Sequence, residues 1–170
     1  RDWLILDAKG EPLPYFHAKY RYFWNRNHPD AQTFYKGLIR FAIQEIQTDL
    51  IHFDNHDIGP GAEPVSAERF RLYLRDRFTA AELAEMGATD LAAVQPPVAG
   101  PAPDLLRRAW LDFASESLAA AYHDMGRYAR TLRKDILVEC NPGGVGDRIH
   151  PPVDHSRLLQ GGEAYWDESL

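Results

Sequence analysis

Residues 49–58, Asp-Leu-Ile-His-Phe-Asp-Asn-His-Asp-Ile, constrain the fold most, because an apolar run too short for a helix stops abruptly on polar side chains. Leu50, Ile51 and Phe53 have the β-branched and aromatic character of a strand, and a parallel strand covered on both faces need not alternate. The stretch therefore predicts a buried parallel strand ending at Asp54 and Asn55. In open α/β sheets and (β/α) barrels, reactive side chains gather at the carboxyl ends of strands, which makes Asp54 the first candidate for chemistry. Asp and Asn also cap strand exits by bonding nearby backbone, so the rest of the chain has to decide.

The rest repeats the pattern. Phe34, Leu38, Phe41, Ala42 and Ile46 recur at helical spacing behind His28-Pro29-Asp30, whose proline and acid suit a helix start, so a helix to about Gln47 should feed the strand. A second helix is expected over 104–133, with Leu106, Trp110, Phe113, Leu118, Ala121, Tyr122, Met125, Tyr128 and Leu132 forming one apolar stripe. His123 lies beside that stripe and reads as a packed or surface histidine. Ile136 to Cys140 predicts a second strand, ending near Glu139 and Asn141. A brief helix over 154–160 then leads to a third strand over 163–168, which contains Trp166. Strand, helix, strand, helix, strand is the arithmetic of a parallel sheet.

Between the first strand and the long helix, Gly59-Pro60-Gly61 breaks the chain. Residues 66–77 place Phe70, Tyr73 and Leu74 on one helical face, and Thr79-Ala-Ala-Glu82 is a capping box. This is a small helical insertion after the strand ending at Asp54. Ahead of everything, Trp3-Leu-Ile-Leu and Pro12-Leu-Pro-Tyr flank a glycine-bearing turn and predict a hairpin. Residues 16–28 have no clean period, but they combine aromatic rings with amides and a guanidinium. Such a surface can stack on sugar faces and bond hydroxyls, or its rings can simply pack on the core.

The 170 residues suffice for one domain, and a formal net charge of −6 with scattered basic residues argues against nucleic acid and anionic membranes as partners. Cys140 is the single cysteine, which rules out an internal disulfide and an all-cysteine metal site. No apolar run approaches membrane-spanning length. The chain opens at Arg1 without a methionine and closes just after a predicted strand, so residues 1–170 are expected to be one piece of a longer protein. Missing strands, or self-association, would be needed to cover it.

Side by side, three such strands would bring Asp54, Glu139 with Asn141, and Asp167 with Glu168 to one rim. Two carboxylates across a cleft are the minimum equipment for cleaving a glycosidic bond, at roughly 5 Å for retention and about 6.5 to 9.5 Å for inversion. Neighbours on a strand point to opposite sides, so one of Asp167 and Glu168 faces the cleft; Glu168, at the strand end, is preferred and Asp167 held in reserve. Asp54 is the expected nucleophile and Glu168 the acid/base of a retaining reaction, with exchanged roles as the variant. Glu139 can instead be a buried acid paired with Arg148. Substrate contacts are expected from Trp24, Asn25, Arg26, His28, His52, Asn55, His56, Glu139, Asn141 and Trp166.

Over nearly its whole length the chain resembles glycoside hydrolase (β/α)₈ barrels, most closely uncharacterised bacterial glycosyl hydrolase-like proteins. The likeness rests on the hairpin from Asp2, on Tyr22-Phe-Trp-Asn-Arg-Asn-His-Pro, on Asp49-Leu-Ile-His-Phe-Asp-Asn, on the insertion over 70–97, and on Leu158-Leu to Tyr165-Trp-Asp-Glu168. It implies that the strands are the middle ones of a barrel, about the fourth to sixth. A weaker likeness to melibiase-type α-galactosidases would make Asp54 the nucleophile and align Glu139-Cys140 and Gly143-Gly144 with a glutamate, cysteine and glycine run. Here His52 replaces a lysine of those enzymes, Asn141-Pro142 interrupts the glycine run, and Glu168 lies one residue nearer Trp166 than their acid. No cofactor is expected. The competing classes are a metal-dependent hydrolase using His52, Asp54, His56 and Asp57 with His150 or His155, and an inactive carbohydrate-binding barrel.

Overall fold

The structure, a computed structural model, describes residues 2–15, 18–142, 153–162 and 164–165. Its contacts divide the chain into two units, Arg1–His28 with Pro60–Ala114, and Pro29–Gly59 with Ser115–Leu170.

In the second unit, helix α1 (Pro29–Phe41) runs into a π turn, Ala42–Ile46, which ends where Gln47 takes a left-handed conformation at φ 62°. The chain then forms strand β1 (Leu50–Phe53), pairing in parallel with β2 (Leu137–Cys140), which in turn pairs with β3 (Ala164–Tyr165). This is the parallel order expected from the sequence. Ile51, Val138 and Cys140 point to one side, where Ile39, Ile43, Tyr122, Met125, Ala129 and Leu158 complete a buried core. Burial of such aliphatic and aromatic side chains supplies about 1.5–3 kcal/mol each.

Two expectations fail here. β1 was expected to be covered on both faces, yet it alternates, as β2 does, with Leu50 39% and Leu137 52% exposed. Helices cover a single face of these strands among the described residues, so period-two burial returns. On α1 the large stripe read from the sequence lies outside: Phe34, Leu38, Phe41 and Ile46 are exposed, while Ala31, Ile39 and Ile43 are buried and Tyr35 and Ala42 are packed on the core. The helix carries apolar residues on two adjacent rows one position apart, and periodicity alone cannot say which row meets the sheet.

The long helix α4 spans Asp104–Leu132 and gives its residues 115–132 to this unit. Arg133, just beyond it, bonds the Thr48 carbonyl at 2.9 Å, the Asp49 carboxylate at 2.6 Å and the Asp135 carboxylate at 3.0 Å, tying the starts of β1 and β2 together. Helix α5 (His155–Leu159) is capped by Asp154, whose carboxyl sits below the usual carboxylate range, chiefly through the Ser156 hydroxyl. Gly161 and Gly162 then pass so close to His123 and Tyr122 that a side chain at either would overlap those rings. His123 receives the packing role expected of it, its Nε2 2.7 Å from the Arg157 carbonyl.

The first unit opens with extended segments that bond in a ring: Leu13 N–H to the Ile5 carbonyl at 2.9 Å, Ile5 N–H to Phe23 at 3.0 Å, and Phe23 N–H to Leu13 at 3.1 Å. Bridges Leu6↔Pro12, Pro14↔Tyr22 and Leu4↔Trp24 fix the register. The predicted hairpin is present, and the aperiodic stretch beyond it supplies a third extended segment. Helix α2 (Pro64–Arg77) buries Phe70 and Leu74, and α3 (Ala80–Glu85) starts with the reciprocal Thr79 and Glu82 capping box. Phe70, Trp110 and Phe113 form an aromatic core with Leu74, Met86 and Leu106. No helix among the described residues is long and apolar enough to cross a membrane.

Candidate functional site

Parallel pairing runs past the last register pair, Phe53↔Cys140. Asn141 N–H donates to the Phe53 carbonyl at 2.9 Å, and His56 N–H donates to the Asn141 carbonyl at 2.6 Å. The turn after β1 is thereby pinned against the end of β2. Asn55 makes that turn with φ 49°, a left-handed conformation that Asn tolerates better than most residues.

The pinned turn presents Asp54 at the strand end with its side chain 59% exposed. Asn55 Nδ2 donates to Oδ2 at 2.6 Å and Asn141 Nδ2 to Oδ1 at 3.4 Å. Amide donors on both oxygens orient the side chain without burying it. His52 stands two residues earlier on β1, and on the exposed sheet face its Nδ1 is 3.0 Å from Glu139 Oε1 while its Nε2 is 3.9 Å from Asp54 Oδ1. Five side chains named from the sequence, His52, Asp54, Asn55, Glu139 and Asn141, thus form one cluster. Glu139 has His52 as its partner; the alternative partner, Arg148, lies outside the described residues.

His56 does not join them. It is 3% exposed, packs its ring 5.6 Å from Tyr122, and places Nε2 2.9 Å from the Leu118 carbonyl of α4. The left-handed Asn55 swings the next side chain inward, which a sequence of alternating His, Asp and Asn does not reveal. The metal reading loses a ligand with it. Among the described residues, no group of three or more His, Cys, Asp or Glu is placed to hold a metal ion.

The aromatic loop belongs to the first unit. Trp24 is half-buried, with the Arg26 guanidinium 5.4 Å over its ring, and His28 lies 6.3 Å from the Trp3 ring. Asn25 is fully buried and Arg26 is 8% exposed. The Asn25 oxygen accepts the Asn27 N–H at 2.8 Å, and its amide reaches Ser66 Oγ at 3.5 Å. Ser66 donates at 2.6 Å to Glu63, a buried carboxylate that also takes the N–H groups of Gly61 at 3.0 Å and Leu6 at 2.9 Å. Asn25 is therefore an organiser of this network rather than a group open to hydroxyls. Glu63 went unnoticed in the sequence, where Gly-Ala-Glu-Pro reads as an ordinary loop before a helix. Trp166, Asp167 and Glu168 lie outside the described residues.

No family model matches the chain, and no curated protein matches it. Solved structures do. The catalytic mutant of a GH42 beta-galactosidase from G. stearothermophilus is similar at TM-score 0.79 and 14% identity, over 99% of this chain and 27% of that one. The likeness is one of fold, to part of that structure. The beta-galactosidase from Bacillus circulans sp. alkalophilus matches at TM-score 0.72 and 17% identity over 99% of this chain and 27% of its own, and that from the psychrophilic Marinomonas ef1 at TM-score 0.76 and 13% identity over 99% and 28%. This chain thus spans little more than a quarter of each neighbour's length. The neighbours support a glycoside hydrolase-like architecture and not the melibiase type specifically.

Proposed function

We propose that the chain is part of a (β/α)₈ glycoside hydrolase domain that cleaves a glycosidic bond with a pair of carboxylates, Asp54 being one of them. The observation that carries this reading is Asp54 itself: an exposed carboxylate at the carboxyl end of a parallel strand, held at both oxygens by Asn55 and Asn141. Similarity to GH42 beta-galactosidases along 99% of the chain supports the same chemistry and makes β-galactosides the first substrates to try. Asp54 serves as nucleophile or as electrostatic stabiliser of the developing oxocarbenium ion, and Glu168, with Asp167 in reserve, supplies the proton to the leaving oxygen. Trp166 is a further candidate for a sugar contact beside Asp54, and Trp24 and His28 are candidates within the first unit.

The test uses the intact protein with a panel of activated aryl glycosides led by an aryl β-galactoside. Asp54→Ala should abolish turnover, while Glu168→Ala should slow the second step and recover partly with azide, a nucleophile that needs no general base. Undiminished hydrolysis by the Asp54→Ala protein would end the proposal. Activity that vanishes with chelator and returns with zinc would promote the metal-dependent class instead.

A further inference from the structure

We infer that Glu139 and His52 form a positioning dyad for Asp54, in which Glu139 sets the tautomer and orientation of the imidazole and the imidazole faces the reactive carboxylate. This rests on the reading of Asp54 as a glycosidase carboxylate for its use, though not for its existence. His52 and Glu139 are direct register partners on adjacent parallel strands, and they project from the same exposed sheet face. Their side chains meet at 3.0 Å through Nδ1 and Oε1. A carboxylate only accepts, so Nδ1 carries the hydrogen and Nε2 is the position left to act.

That position is aimed. Nε2 lies 3.9 Å from Asp54 Oδ1, the same oxygen that Asn141 approaches at 3.4 Å, while Asn55 holds Oδ2 at 2.6 Å. At 3.9 Å the two groups do not bond directly, and a single hydroxyl or water can bridge them. The same logic operates when a carboxylate orients a metal-bound histidine or a catalytic base: the outer acid touches no substrate, and its loss disorders the group that does. Glu139 is therefore a positioning residue rather than the second carboxylate of the bond-cleaving pair. His52 is the means by which β2 controls the charge environment at the end of β1.

The experiment has a spectroscopic arm and a kinetic arm, both on the intact protein. With ¹⁵N-labelled histidine, His52 should show a protonated Nδ1. Asp54→Asn should move its Nε2 signal, whereas Glu45→Gln, an exposed change on the π turn, should not. Glu139→Leu should release the Nδ1 signal, and Glu139→Gln, whose amide oxygen still accepts, should retain part of the coupling. In kinetics, Glu139→Leu and His52→Gln should each lower kcat by about 10- to 100-fold with KM little changed, and the double variant should be no worse than the worse single one.

A bare Nδ1, an Nε2 signal indifferent to Asp54→Asn, equal effects of Leu and Gln at position 139, or additive losses in the double variant would each overturn the dyad. If the intact protein hydrolyses no aryl glycoside while the His52 signals respond to both carboxylates as stated, the glycosidase reading fails and the dyad stands.

Discussion

His52 on β1 and Glu139 on β2 are register partners, and their side chains meet at 3.0 Å on the exposed face of the sheet, one residue short of where each strand ends. The contact gives the strand ends a fixed polar arrangement, with Asp54 at its open side. Because Asp54 is 59% exposed and an asparagine there keeps one acceptor oxygen, Asp54→Asn should change stability by no more than about 0.5 kcal/mol. Thermal unfolding of the variant beside the parent protein checks this, and a large loss would mark Asp54 as structural.

Gly161 and Gly162 are predicted to tolerate replacement far less well than Gly37, where an added Cβ meets nothing. A Cβ on Gly162 would overlap the Tyr122 hydroxyl and lie 2.9 Å from the Val138 carbonyl, which Tyr122 itself bonds at 3.2 Å. Gly162→Ala should cost about 2–4 kcal/mol, since neither backbone nor a ring buried in the core can retreat. Adding Tyr122→Phe removes the closest overlap and should recover part of that loss, although Tyr122→Phe alone costs about 1 kcal/mol through its hydrogen bond. Denaturant midpoints of the two single variants and the double variant measure the coupling.

Glu63→Gln should destabilise the first unit by about 2–3 kcal/mol, because it replaces one acceptor oxygen by a donor in a site where every neighbour donates. Leu6 N–H, Gly61 N–H and the Ser66 hydroxyl would then compete for a single oxygen. Amide exchange at Leu6 and Gly61 should accelerate in the variant; unchanged protection would refute the network.

Asp135 predicts an acid limb to stability. Its carboxyl is held below its ordinary value of 3.8, first of all by the hydrogen bond from Arg133. A depressed carboxylate contributes stability that is present above its unfolded value and is lost as pH falls through the lower folded value. Arg133→Gln should flatten the loss of stability between about pH 2 and 5 while lowering the plateau above it, as read from urea midpoints across that range.

The two rows on α1 predict opposite outcomes for similar substitutions. Ile39→Ala, in the buried row, should cost about 2–4 kcal/mol. Leu38→Ala, where the side chain is 47% exposed, should cost about 0.5 kcal/mol or less. Equal losses would mean that the row read from periodicity is buried after all.

The sequence by itself determined the main helices and the parallel strands in their order, but not the extended segment at 22–24 or the π turn after α1. The apolar run ending at Asp54, the stripe along α4 from Leu106 to Leu132, and the Thr79 capping box each follow from local chemistry that a chain carries wherever it folds. Strand ends also followed, and with them His52, Asp54, Asn55, Glu139 and Asn141 as the polar side chains gathered there. Only tertiary structure decided which of them meet. Register set His52 opposite Glu139, the left-handed backbone at Asn55 turned His56 down to Leu118, and burial took Asn25 into the Glu63 network. The same holds for α1, where two apolar rows were equally legible and the sheet selected Ile39 and Ile43. Periodicity records which residues can be buried together; a partner surface, contributed by residues far away in the chain, decides which are.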